Sequence, residues 1–167
     1  IKTENAEVVN GFADVYSKWI NDYGVDAFRV DTAKHVDDAF FAKWWPKVVV
    51  ATKATKPTAY AFGEVFDSST DALSAFVRQR GLPSVLDFAF QVDSVMYAGG
   101  DGDAGNLLYV LNQDDKYTTA TKNAYNLVTF LGNHDMGRVA YLLGKNGATT
   151  ETLLSRDLFA HDLMFLN

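Results

Sequence analysis

A chain of 167 residues, 48% apolar and 22% charged, is long enough for one ordinary domain with a sizeable core. Its net charge of −6 excludes a phosphate-backbone binder, which needs a basic face, and no apolar run approaches the length required to cross a bilayer. With no cysteine there is neither a disulfide nor a thiolate metal site.

The opening residues, Ile-Lys-Thr-Glu-Asn-Ala-Glu, are unlike a signal peptide, so any export signal is expected outside this stretch. Residues 5–23 read as an amphipathic helix. Asn5 can cap it, Val8, Phe12, Val15, Tyr16, Trp19, Ile20 and Tyr23 recur at helical spacing, and Gly24 ends it. Gly24-Val-Asp-Ala-Phe-Arg-Val-Asp-Thr-Ala-Lys-His35 then runs into a short strand that finishes on a polar cluster. Alternation places Ala27, Arg29 and Asp31 on one face and Phe28 and Val30 on the other. An arginine beside an aspartate keeps the carboxylate charged, which suits a nucleophile; a structural ion pair would look the same locally.

A second helix is expected from Asp37 or Asp38, with Phe41, Trp44, Trp45, Val48 and Val49 as its stripe and a kink or break at Pro46. Thr58–Val65 reads as a second strand with Tyr60, Phe62 and Glu64 on one face. Asp71–Arg80 reads as a helix stopped by Gly81 and Pro83. Val85–Phe90 is a third strand candidate, in which Asp87 reads as a buried, hydrogen-bonded aspartate. Gly99–Gly105 is a loop, Leu107–Leu111 a helical turn, Leu127–Leu131 a fourth strand closed by Gly132-Asn-His-Asp135, and Thr150–Leu166 a last helix. Helix, then strand and helix repeated, points to parallel βαβ units in an α/β fold. Asp31, Glu64 and Asp135 all follow strands, on the carboxyl edge where such folds place their sites.

Two motifs fail on context. Gly100-Asp-Gly-Asp-Ala-Gly105 matches a dinucleotide fingerprint, but its aspartates would repel a pyrophosphate and no strand–turn–helix frames it. As a calcium loop it lacks glycine at the sixth position and glutamate at the twelfth, which are Asn106 and Asn112. His35, His134 and His161 are too dispersed for a zinc site, and His161 reads as structural.

Three carboxylates converging on one face suit glycoside cleavage, which needs one to attack or activate water and one acid to protonate the leaving oxygen. The chain resembles the α-amylase family of glycoside hydrolases. Gly24–His35 is similar to its Gly-Phe-Arg-x-Asp-x-x-Lys-His motif, Gly63-Glu64-Val65 to its acid/base motif, and Phe130-Leu-Gly-Asn-His-Asp135 to its Asn-His-Asp motif. The resemblance implies a partial TIM (β/α)₈ barrel over residues 1–167, strands four to seven, with one side of the sheet open and Phe62 and Leu131 exposed.

It implies Asp31 as nucleophile, Glu64 as acid/base and Asp135 as the carboxylate that holds the sugar hydroxyls. Arg29 would orient Asp31, His134 would contact the same sugar, and Lys34 and His35 would line the leaving-group side. The implied reaction is retaining hydrolysis of α-1,4-glucosidic bonds in starch-like α-glucans or maltooligosaccharides by the parent enzyme, in an extracellular setting, with no organic cofactor. A transglycosylase or α-1,6-debranching enzyme of the same family stays open, as does a non-catalytic interaction domain on the same fold. Many members carry calcium; most of its ligands would lie outside this chain, and His35 would offer only its backbone carbonyl.

Overall fold

The computed structural model describes residues 1–166. Its first helix, α1 (Ala6–Tyr23), opens on the Asn5 side chain, which accepts the Glu7 N–H at 3.0 Å, and closes on Gly24, left-handed at φ 70°. Strand β1 (Ala27–Val30) follows, then a single 3₁₀ turn, Ala33–His35. Asp37 accepts the Ala39 N–H just before helix α2 (Phe40–Thr52) begins. The expected break at Pro46 does not occur: α2 runs through it. The proline forgoes one backbone hydrogen bond, but Trp44 and Val48 on either side are fully buried against α1, and that packing holds the helix together. Tyr16 meets Trp44 edge-on at 5.0 Å and Phe12 meets Phe40 at 5.9 Å.

Strand β2 (Tyr60–Gly63) pairs in parallel with β1, and β3 (Ser84–Val85) with β2, in sequence order. Helix α3 (Thr70–Arg78) connects the last two. Phe28, Val30, Ala61 and Val85 lie in or against the core shared with α1 and α2. Arg29 and Phe62, matched in register, alternate with them, and Phe62, expected to be exposed, is half-buried because it too packs against that core. Gly63 allows the sheet to close on its neighbours. A Cβ there would sit 2.5 Å from Leu82 Cδ1 and 3.1 Å from the Ala33 Cβ.

Two strand expectations are corrected. Val85–Phe90 is not a strand, because Asp87 accepts the Phe90 N–H at 3.0 Å and caps helix α4 (Phe88–Gly99). Only Leu86 is then left to pair, so Leu127–Leu131 makes one parallel bridge, Leu86 to Val128, instead of a fourth strand. Leu131, expected to be exposed, is 4% exposed: it enters a second apolar cluster with Phe90, Val95, Leu107, Leu143 and Ala160. That cluster is built by α4, α5 (Ala104–Leu111), α6 (Val139–Lys145) and α7 (Leu153–Leu166). The Gly100-to-Gly105 stretch joins two helices, and Asp103 caps the second by accepting the Gly105 N–H. Among the described residues no helix is long and apolar enough to cross a membrane.

Candidate active site

Asp31 and Glu64 are the first residues beyond β1 and β2, and the pairing of Val30 with Gly63 brings them level at the carboxyl edge of adjacent strands. The chain turns sharply after Asp31. Thr32 is the only non-glycine residue with positive φ among those described (φ 47°, ψ 36°), a conformation that costs a β-branched residue ~1–3 kcal/mol. Glu64 is held from three sides by this segment. Its N–H donates to the Val30 carbonyl at 2.8 Å, its carbonyl accepts the Ala33 N–H at 3.0 Å, and Oε2 accepts the Thr32 N–H at 2.7 Å. The residue is 8% exposed, a buried carboxyl with a backbone partner.

Arg29 joins two of the other acids. Its Nη1 donates to Asp31 Oδ1 at 2.7 Å, and its Nη2 lies 3.9 Å from Asp135 Oδ2. His134 Nε2 is 3.3 Å from the same Asp135 oxygen. The Asp31 and Asp135 side chains are 65% and 49% exposed, so the cluster faces open space. The loop carrying His134 and Asp135 is built by Asn133, whose Oδ1 accepts the Asp135 and Met136 N–H groups at 2.9 and 3.0 Å. Gly137, at φ 110°, turns the chain back so that its N–H reaches the Asn133 carbonyl. Asn133 lies inside the recognised motif, but only its hydrogen bonds reveal the turn it builds.

Lys34 donates to Asp67 Oδ2 at 2.8 Å and to the Phe66 carbonyl at 3.4 Å, tying the loop after β1 to the loop after β2. That bond, followed by the one from the Ser69 N–H, holds the Asp67 carboxyl below the usual carboxylate range. His35 ends the 3₁₀ turn; its N–H bonds the Thr32 carbonyl and its side chain is exposed. Next to this edge, Phe66, Asp67, Ser68, Phe88, Val92 and Met136 line a cleft of about 340 Å³. A separate hollow of about 190 Å³, lined by Asp87, Asp114, Tyr125, Leu127 and Thr129, shares none of the clustered carboxylates. Among the described residues no group of three or more His, Cys, Asp or Glu is placed to hold a metal ion, so these side chains do not by themselves fit a calcium site.

The arrangement brings Arg29, Asp31, His134 and Asp135 into one charged chain, with Glu64 beside it through the Thr32 amide. It offers one exposed carboxylate oriented by an arginine and one enclosed carboxyl a strand away. That is the pairing needed to split attack from proton transfer.

Comparison with known proteins matches residues 1–165 to the family model described as the alpha amylase catalytic domain. The chain is 42% identical over 168 residues to an alpha-amylase from Streptomyces lividans, covering 99% of this chain and 18% of that protein. A cyclomaltodextrin glucanotransferase from Klebsiella oxytoca is 29% identical, over 89% of this chain and 24% of its own length. The crystal structure of an Anoxybacillus alpha-amylase superposes with a TM-score of 0.74 at 28% identity, covering 90% of this chain and 32% of that one. The chain therefore spans about a fifth to a third of the length of these relatives, and its helices and parallel strands are part of a (β/α)₈ barrel.

Proposed function

The chain belongs to the α-amylase family of glycoside hydrolases, and from that membership we propose that the protein carrying it cleaves α-1,4-glucosidic bonds in starch-like glucans with retention. The observation that carries this reading is the register. Asp31 and Glu64 leave neighbouring parallel strands side by side, and strand axes lie ~4.8 Å apart. That spacing suits the about 5–5.5 Å between carboxyls of a retaining pair better than the roughly 6.5–9.5 Å of an inverting one.

In this reading Arg29 occupies Asp31 Oδ1, which leaves Oδ2 to attack the anomeric carbon. Glu64 gives its proton to the glycosidic oxygen as the C–O bond breaks, and the shortened glucan leaves with a free hydroxyl. Glu64, now a carboxylate, takes a proton from water, whose oxygen attacks the anomeric carbon and releases Asp31. Charge on the sugar ring is positive at both transition states. Asp135, held beside Arg29 and His134, stabilises it and grips the ring hydroxyls. Lys34 fixes the neighbouring loop through Asp67 on the leaving-group side. Where a calcium ion is carried, this chain would contribute the backbone carbonyl of His35.

A second reading is favoured by the glucanotransferase among the relatives: the same covalent intermediate passes to a sugar hydroxyl instead of water. Products from maltooligosaccharides separate the two, since transfer makes longer or cyclic chains. Proton NMR of the first-formed product tests the main reading. An α-anomer is expected, and a β-anomer would overturn it.

A further inference from the structure

Thr32 has a conformation that the roles of the three carboxylates leave unexplained. A β-branched residue disfavours the left-handed region, yet Thr32 adopts it immediately after Asp31. The torsions of Thr32 set how its own N–H and that of Ala33 are related. In an extended chain consecutive N–H groups point to opposite sides; in an α-type conformation they converge, as in an anion-binding nest. Here both reach one residue: the Thr32 N–H meets Glu64 Oε2 at 2.7 Å and the Ala33 N–H meets the Glu64 carbonyl at 3.0 Å. Among the described residues the carboxyl makes no other hydrogen bond, and Oε1 is not a sealed, unpartnered atom.

Resting on the reading of Glu64 as the acid/base, we propose that Thr32 is a positioning residue whose left-handed backbone clamps Glu64 Oε2 and so assigns the catalytic proton to Oε1. With Glu64 acting as the acid, the oxygen that accepts the Thr32 N–H at 2.7 Å serves as the carbonyl oxygen of the carboxyl, and Oε1 carries the proton. When the proton passes from Oε1 to the glycosidic oxygen, negative charge spreads onto Oε2, where a donor already in place meets it. The same bond keeps the carboxyl from rotating between the two half-reactions, so the oxygen that gave the proton also takes one from water. The strain at Thr32 is held by β1 on one side and the Ala33–His35 turn on the other.

The test is an amide-to-ester exchange at position 32 of the full-length enzyme, which removes the N–H and keeps the side chain. The clamp predicts that the basic limb of the pH profile of kcat/KM moves up by about one unit. It also predicts that kcat on α-glucans falls roughly tenfold with KM little changed. Aryl glycosides whose leaving group needs no proton should lose much less. Thr32→Gly keeps the amide, so it should lower kcat through a looser loop yet leave the limb in place. A limb unmoved by the ester, or moved equally by Thr32→Gly, would overturn the proposal. If the ester form does not fold, the Thr32 amide proton of the wild-type enzyme, selectively ¹⁵N-labelled, carries the test. Its chemical shift should titrate together with the basic limb, and a flat shift would refute the clamp. Glu64→Gln separates the two levels: near-normal starch turnover would sink the acid/base reading itself, whereas collapse with an unmoved limb in the ester would sink only the role of Thr32.

Discussion

Asp87→Asn removes one buried charge while leaving the cap of α4 in place, since asparagine caps as well as aspartate. Asp87 is 5% exposed, and burial, assisted by the charge of Asp114, pushes its carboxyl from an ordinary 3.8 up to about 6 against the opposing bonds from the Phe90 and Ala89 N–H groups. A shift of about two units, at 1.36 kcal/mol each, is worth ~3 kcal/mol. The folded state holds the proton more tightly than the unfolded one. The contribution of Asp87 is therefore fully present below pH 3.8, is lost as pH rises through about 6, and stays lost above that. The expected result is that Asp87→Asn matches wild type near pH 4 and exceeds it by up to about 3 kcal/mol at pH 7. Urea unfolding at pH 4, 5 and 7, followed by tryptophan fluorescence, measures the difference directly. Parallel curves for the two proteins across that range would refute the reasoning, because they would mean that Asp87 titrates alike in both states.

Gly63→Ala drives a methyl to 2.5 Å from Leu82 Cδ1, and should cost ~1–3 kcal/mol in a melt, part of it recovered when Leu82→Ala is added. In the full-length enzyme Asp31→Asn should still bind maltooligosaccharide but lose turnover, while Glu64→Gln should lose on the order of 10²–10⁴ in rate; near-normal starch hydrolysis by either would remove these roles. Asn133→Ala strips the Asp135 and Met136 amides of their acceptor. It should cost about 1–3 kcal/mol in stability and raise KM for α-glucans, as measured by steady-state kinetics. The 167-residue chain on its own should show no turnover in a reducing-sugar assay, because Asp31 and Asp135 face open space where a sugar needs enclosing walls.

Local signals were easiest to read where chemistry and periodicity agreed. Asn5, the apolar stripe and Gly24 announce α1 almost to the residue. The alternation along the two strands placed Arg29 and Phe62 on one sheet face, as the register has it. The stretch from Val85 to Phe90 misled because a short apolar run has no period to separate a buried strand from the start of a buried helix. The deciding atom is Asp87 Oδ1, whose bond to the Phe90 N–H is a three-residue event inside that run. Helix α6 escaped notice because seven residues make too short a stripe to stand out; it is held by Leu143, buried in the second cluster.

By itself the sequence determined the family and the parallel α/β character, and it singled out the candidate carboxylates. Residue type, order and alternation along a strand are local properties, and they survive without knowledge of what packs on them. Tertiary structure alone decided which groups meet. Arg29 reaches Asp135 only because the loop built by Asn133 and Gly137 returns to the edge of β1. Lys34 finds Asp67 only because two loops from adjacent strands run side by side. Thr32 is the sharpest case, since its intrinsic preference is extended. Its left-handed turn is imposed by pairing on β1, the turn at Ala33 and two bonds to Glu64, and a preference of ~1–3 kcal/mol yields to constraints that act together from both sides.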